Sequence, residues 1–116
     1  MGAESRRMPR RTVAGLTEVV DVMTEEAVGH IGNLSVGGML LIASVPLAED
    51  ALYQLRFNLP DSDGQSVEVG AHVLWRDAAN APGQSWAGLR FLGLAPQATR
   101  SLREWVGRGS IGGAAT

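Results

Sequence analysis

Hydrophobic and polar positions alternate along most of this chain, and only near its end does the period lengthen. Thr12 to Met23 carries Val13, Leu16, Val19, Val20 and Val22, a β-branched run that predicts a first strand, bulged near Gly15. Beyond the acidic pair at 25 and 26, Ala27 to Gly32 reads as a short second strand. Met39 to Ser44 reads as a third, returning antiparallel. The clearest alternation lies in Leu52 to Leu59: Tyr53, Leu55, Phe57 and Leu59 share one face, and Gln54, Arg56 and Asn58 the other. Pro60 to Gly64 is a turn, with Pro setting φ and Asp-Gly supplying the left-handed position.

Ser66 to Arg76 predicts a fifth strand with Val67, Val69, Ala71, Val73 and Trp75 on one side, and Trp86 to Leu94 a sixth after the loop at 77–84. From Pro96 onward Ala98, Leu102, Trp105 and Val106 recur at helical spacing, while Gly107 and Gly109 predict the helix end. The expected organisation is therefore a basic arm over 1–11, a β domain over 12–107 with its helix at 96–107, and a loose tail over 108–116. Six short strands and one helix predict an all-β fold, a six-stranded antiparallel β-barrel with the helix packed on it.

Composition narrows the function more than the fold. At 116 residues and 45% hydrophobic, the chain supports one modest core and is not a disordered polymer. A net charge of -2 gives no global pull toward nucleic acid or anionic lipid. The basic residues are unevenly placed, however. Arg6, Arg7, Arg10 and Arg11 are four of the ten, and all ten are Arg, the side chain that grips phosphate through a planar fork and stacks on flat rings. Read alone, this arm fits either a basic tail or an anion site, and it lacks the interleaved aromatics of an RNA-binding segment. The absence of cysteine excludes disulfides and thiolate chemistry. With no apolar run of bilayer length and no signal-peptide h-region, the chain reads as cytoplasmic and without membrane insertion.

Candidate catalytic residues do not converge. His30 and His72 lack metal-ligand spacing, and Ser35 would need glycine at 33, where Asn stands, to form a nucleophile elbow. No catalysis and no cofactor or metal are expected. The most informative polar stretch is Asn33-Leu34-Ser35-Val36-Gly37-Gly38, which joins two local hydrogen-bonding side chains to a glycine pair. Taken alone it also suits an ordinary hairpin turn. Trp75, at a strand end, is either a packed ring or a rim platform for a base, and Arg76 beside it either a solvated strand end or a further cation.

Together, the arginine arm and the turn resemble the motifs of the PilZ family of cyclic di-GMP receptors. The arm supplies Arg-x-x-x-Arg either from Arg7 to Arg11 or from Arg6 to Arg10, and the turn supplies Asn33-x-Ser35-x-x-Gly38. The resemblance continues through Leu55 to Pro60, Ala71 to Trp75 and Gly88 to Leu92. It implies a split-barrel, single-domain receptor whose ligand is cyclic di-GMP, held by Arg7 and Arg11 with Arg6 and Arg10 as helpers. Asn33 and Ser35 would meet guanine edges and phosphate, Gly37 and Gly38 would keep the turn open, and Trp75 and Arg76 are candidate rim contacts. It further implies that the ligand orders the arm and creates a surface for an unidentified protein effector, in motility, pilus, biofilm or exopolysaccharide control. DNA and RNA are not expected partners, and the chain is expected to be a monomer or weak dimer. A PilZ-like scaffold that works through protein contacts without nucleotide is the alternative.

Overall fold

In a computed structural model, which describes residues 9–60, 65–79 and 81–115, the chain closes into a β-barrel with one helix packed against it. The strands are β1 (Arg11–Thr12), β2 (Glu18–Asp21), β3 (Glu26–Leu34), β4 (Gly38–Ala43), β5 (Leu52–Asn58), β6 (Ser66–Ala78) and β7 (Ser85–Leu92), followed by α1 (Pro96–Ala115). Six of them close a ring in the order β3-β2-β5-β6-β7-β4 and back to β3, and all pairings are antiparallel. Alternation explains the closure, because each strand turns one apolar row inward. Val67, Val69, Ala71 and Val73 of β6 meet Leu55 and Phe57 of β5, and Ala87, Leu89 and Phe91 of β7. Burying each of the larger side chains is worth roughly 1.5–3 kcal/mol.

The predicted first strand is broken in two. β1 holds only Arg11 and Thr12, paired with Leu34 and Asn33, and β2 begins at Glu18, paired with His30. Between them the chain swings outward through Gly15, whose φ of 82° lies in the left-handed region, and Leu16 is left 82% exposed. Val13 N–H still donates to the Gly32 carbonyl, and Thr17 accepts from Ile31, so the excursion is pinned on both sides. Arg11, expected in the arm, is thus the first residue of the sheet.

The helix docks through Leu102, Trp105 and Val106, which join the barrel core, and the Trp105 indole N–H donates to the Pro60 carbonyl at 2.8 Å. It passes the predicted end at Gly107 and runs to Ala115. A glycine stops a helix by turning left-handed, and Gly107 does not have a positive φ; in helical geometry it only lowers propensity, by about 1 kcal/mol. Beyond Pro60, the predicted turn ending at Gly64 lies outside the described residues.

Candidate functional site

The Asn33 to Gly38 stretch divides between a strand and a turn, and its two polar side chains do different work. Ser35 is buried, with 1% of its surface exposed. Its hydroxyl accepts from the N–H groups of Gly37 (3.2 Å) and Gly38 (3.1 Å) and donates to the Gly38 carbonyl (3.3 Å). A serine hydroxyl has one proton and two lone pairs, so this set exhausts it. Ser35 braces the turn.

Gly38 is required by packing. A Cβ there would collide with the Leu89 carbonyl oxygen of the neighbouring strand β7. Gly37 offers its carbonyl to Phe91 N–H at 2.8 Å, which fastens the turn to β7.

Asn33 is on β3 and not in the turn. It pairs with Leu40 on one side and Thr12 on the other, and a bulge between Ile31 and Asn33 leaves Gly32 and Asn33 outside the barrel while Ile31 and Leu34 point in. A second bulge, between Val73 and Trp75 on β6, does the same for Trp75. Strict alternation predicted Trp75 inward with Val73. The extra residue resets the phase, and Trp75 is 43% exposed.

The two bulges lie at opposite ends of one outward rank, Asn33–Leu40–Gly88–Trp75, that crosses four adjacent strands. Three strand spacings of about 4.8 Å set its ends roughly 14 Å apart at the backbone. Gly88 has no side chain, and the Trp75 indole lies down over it so closely that a Cβ would strike the ring. Arg10 closes the other end by donating from a guanidinium nitrogen to the Asn33 side-chain oxygen at 2.6 Å. The result is an open cleft of about 250 Å³ between Arg10 and Asn33 on one wall and Leu74 and Trp75 on the other, floored by Leu40 and Gly88.

Other predicted site residues are elsewhere. Arg11 donates to the Trp105 carbonyl at 2.7 Å and places its guanidinium 4.2 Å from the Trp105 ring centre, so it engages the helix while Arg10 engages the cleft. Arg76 alternates to the opposite side from Trp75 and lines a separate cleft with Glu49, Gln84 and Ser85. Arg6 and Arg7 lie outside the described residues.

That second cleft is larger, about 470 Å³, as is a groove of about 390 Å³ along Leu16, Arg56 and Pro60. Volume is a weaker guide than chemistry: that cleft is lined by no aromatic ring, and in the groove the ring of Phe57 is buried and Arg56 is paired with Glu25. Leu40 and Gly88 are the site residues that sequence reasoning missed. Both are outward positions on strands, but only the register brings them between Asn33 and Trp75.

The site holds no convergent catalytic set. His72 Nε2 lies 3.0 Å from Asp50 Oδ1, away from the cleft rank, and among the described residues no His/Asp/Glu group is arranged to hold a metal ion. No helix among them is long and apolar enough to cross a membrane.

The fold is thus a small closed barrel of the split-barrel kind, with bulges on β3 and β6 and a polar, aromatic-walled cleft on its outer face. The PilZ domain model matches residues 4–108, and the chain belongs to that family. No curated protein matches it.

Among solved structures it is similar to the Bacillus subtilis inhibitor of motility MotI/DgrA, at 16% identity and a TM-score of 0.77, over 92% of this chain and 51% of that one. It is also similar to the PilZ domain of YcgR from Escherichia coli with c-di-GMP, at 15% identity and a TM-score of 0.66, over 93% of both chains. The MrkH–c-di-GMP complex of K. pneumonia matches at 16% identity and a TM-score of 0.75, over 95% of this chain and 54% of that one. The chain spans about half the length of the MotI/DgrA and MrkH chains.

Proposed function

We propose that this chain is a receptor for cyclic di-GMP, bound on the outer face of the barrel between the arginine arm and Trp75. The observation that carries the proposal is the Arg10–Asn33 contact facing, across Leu40, the Trp75 indole that lies over Gly88. Cyclic di-GMP presents two flat purines and two phosphate charges. The cleft offers matching groups: a ring to stack on, a fork for phosphate, and an amide able both to donate and to accept at a guanine edge. Stacking of a base on such a ring is worth about 1–3 kcal/mol.

The Arg10–Asn33 contact supports one register of the arginine motif. Arg10 reaches the cleft and Arg11 the helix, so the pair that grips the ligand is Arg6 with Arg10, four residues apart. Ser35 acts through the turn it braces, which holds the Gly37 and Gly38 backbone beside the ligand. The arm settles on the nucleotide as phosphate neutralises its like charges, and the covered face becomes the surface read by a protein effector. The chain works by binding alone, without catalysis, inside the cytoplasm. Motility control is the process favoured by the likeness to an inhibitor of motility.

Isothermal titration calorimetry with cyclic di-GMP tests this on wild type, on Arg6→Ala with Arg10→Ala, and on Arg7→Ala with Arg11→Ala. The expected order is strong binding by wild type, loss of at least a hundredfold in the first pair, and a smaller loss in the second. Equal heats from all three proteins would overturn the arm as the grip.

A second reading has its own observation: Ser35 and Arg11 are both occupied by contacts within the barrel and helix. In that reading the motif residues are structural, and the chain is a PilZ scaffold that meets only proteins. Absence of any heat from wild type at micromolar nucleotide would favour it.

A further inference from the structure

One arginine outside the recognised motifs stands beside the turn. The outward rank next to the cleft runs Gly38–Arg90–His72 across β4, β7 and β6. His72 is committed to Asp50. Arg90 is exposed, and its guanidinium has no hydrogen-bond or ion-pair partner among the described residues. Its neighbour across the ladder is Gly38, about 5 Å away at the backbone, so Arg90 rises from the barrel beside the end of the Ser35 to Gly38 turn. Phe91, the next residue, is the one whose N–H holds the Gly37 carbonyl. The turn is therefore fastened to β7 directly beside Arg90.

The other arginines are differently employed. Arg56 pairs with Glu25 at 2.9 Å, Arg11 with Trp105, and Arg76 lines the separate cleft, while Arg100, Arg103 and Arg108 belong to the helix. Arg90 is thus the barrel's own cation on the binding face.

We propose that Arg90 is a further ligand-binding residue, taking a phosphate of the cyclic dinucleotide from the barrel side while Arg10 approaches from the arm. The inference rests on the binding reading above and extends it. A ligand with two phosphates gains most when each meets its own guanidinium fork. Arg90 rises from a strand paired on both sides, so less freedom is lost on binding than for an arm residue.

The test is calorimetric titration of the full chain with cyclic di-GMP, using wild type, Arg90→Gln, Arg90→Lys, Arg76→Gln and Asn33→Ala. Arg76→Gln removes the same charge from outside the cleft. Arg90→Gln is expected to weaken binding about tenfold, equivalent to about 1.4 kcal/mol. Arg90→Lys is expected to recover part of that loss, and Arg76→Gln to stay within twofold of wild type. The melting temperature of Arg90→Gln should match wild type, since the side chain touches solvent.

If Arg90→Gln binds like wild type while Asn33→Ala is impaired, the Arg90 proposal falls and the cleft reading stands. Equal weakening by Arg90→Gln and Arg76→Gln also overturns it, because the effect is then net charge. If wild type itself gives no heat, both readings fall together.

Discussion

Two glycines on the same face of the barrel make a sharp prediction, because a methyl group at each would strike something different. At Gly38 an added Cβ meets the Leu89 carbonyl oxygen, part of the β4–β7 ladder, and neither strand can yield without losing its pairing. Overpacking of this kind costs about 1–3 kcal/mol. With an unfolding entropy of roughly 2.1 cal/mol/K per residue, a chain of this size loses about 4 °C in Tm per kcal/mol, so Gly38→Ala should melt about 4–12 °C lower.

At Gly88 the methyl meets only the Trp75 indole, a half-exposed ring that can swing aside. The lost ring contact is partly offset by the roughly 0.4–1 kcal/mol gained when glycine leaves the unfolded chain, so Tm should move by no more than about 4 °C. The displaced ring no longer forms the platform, and cyclic di-GMP affinity should fall about five- to 150-fold, as expected for losing one base stack of about 1–3 kcal/mol. Circular dichroism melts and calorimetric titrations on the two variants separate the effects. The reasoning is refuted if Gly88→Ala melts as low as Gly38→Ala, or if it binds the nucleotide as tightly as wild type.

Further expectations concern single contacts. Ser35→Ala leaves the Gly37 and Gly38 N–H groups without their acceptor in a buried turn, and denaturant unfolding should register a loss of about 1–3 kcal/mol. Trp105→Phe strands the Pro60 carbonyl and leaves Arg11 a smaller ring to lie over; a comparable loss is expected, with amide exchange accelerating in the helix.

The carboxyl of Glu25 is held below its ordinary range by its hydrogen bond to Arg56 and by that residue's charge. Its folded-state value being depressed, the contribution is present at neutral pH and disappears as pH falls through that lowered value. The melting difference between wild type and Glu25→Gln should therefore be small, salt-sensitive and absent in strong acid.

Much of the barrel was legible because alternation is a local signal. Tyr53 to Leu59 and Val67 to Val73 announce their faces without reference to any partner, and the Leu102–Trp105–Val106 stripe does the same for the helix. Failures cluster where one extra residue changes phase. Alternation alone puts Trp75 on the side of Val73, and nothing in Val73-Leu74-Trp75 marks the bulge that turns it to the rim; only pairing with Leu89 and Gly88 creates it. Likewise Gly15 marks an irregularity between Val13 and Val22, expected as a bulge, but the full break there arises because β3 takes β1 and β2 at different points along its length.

The candidate site followed the same division. Its motif residues were visible as residue types, and the contact between Asn33 and the arm is realised through Arg10. Its floor of Leu40 and Gly88 is a product of register, which no single strand encodes.

The most direct test is a nitrogen–proton NMR titration of the chain with cyclic di-GMP. Saturable shifts should centre on Asn33, Gly37, Gly38, Gly88 and the Trp75 indole, with Leu16 and Arg56 unmoved. Shifts confined to the groove along Leu16, Arg56 and Pro60, or no shifts at all at saturating nucleotide, would contradict the outer-face cleft as the place where the messenger binds.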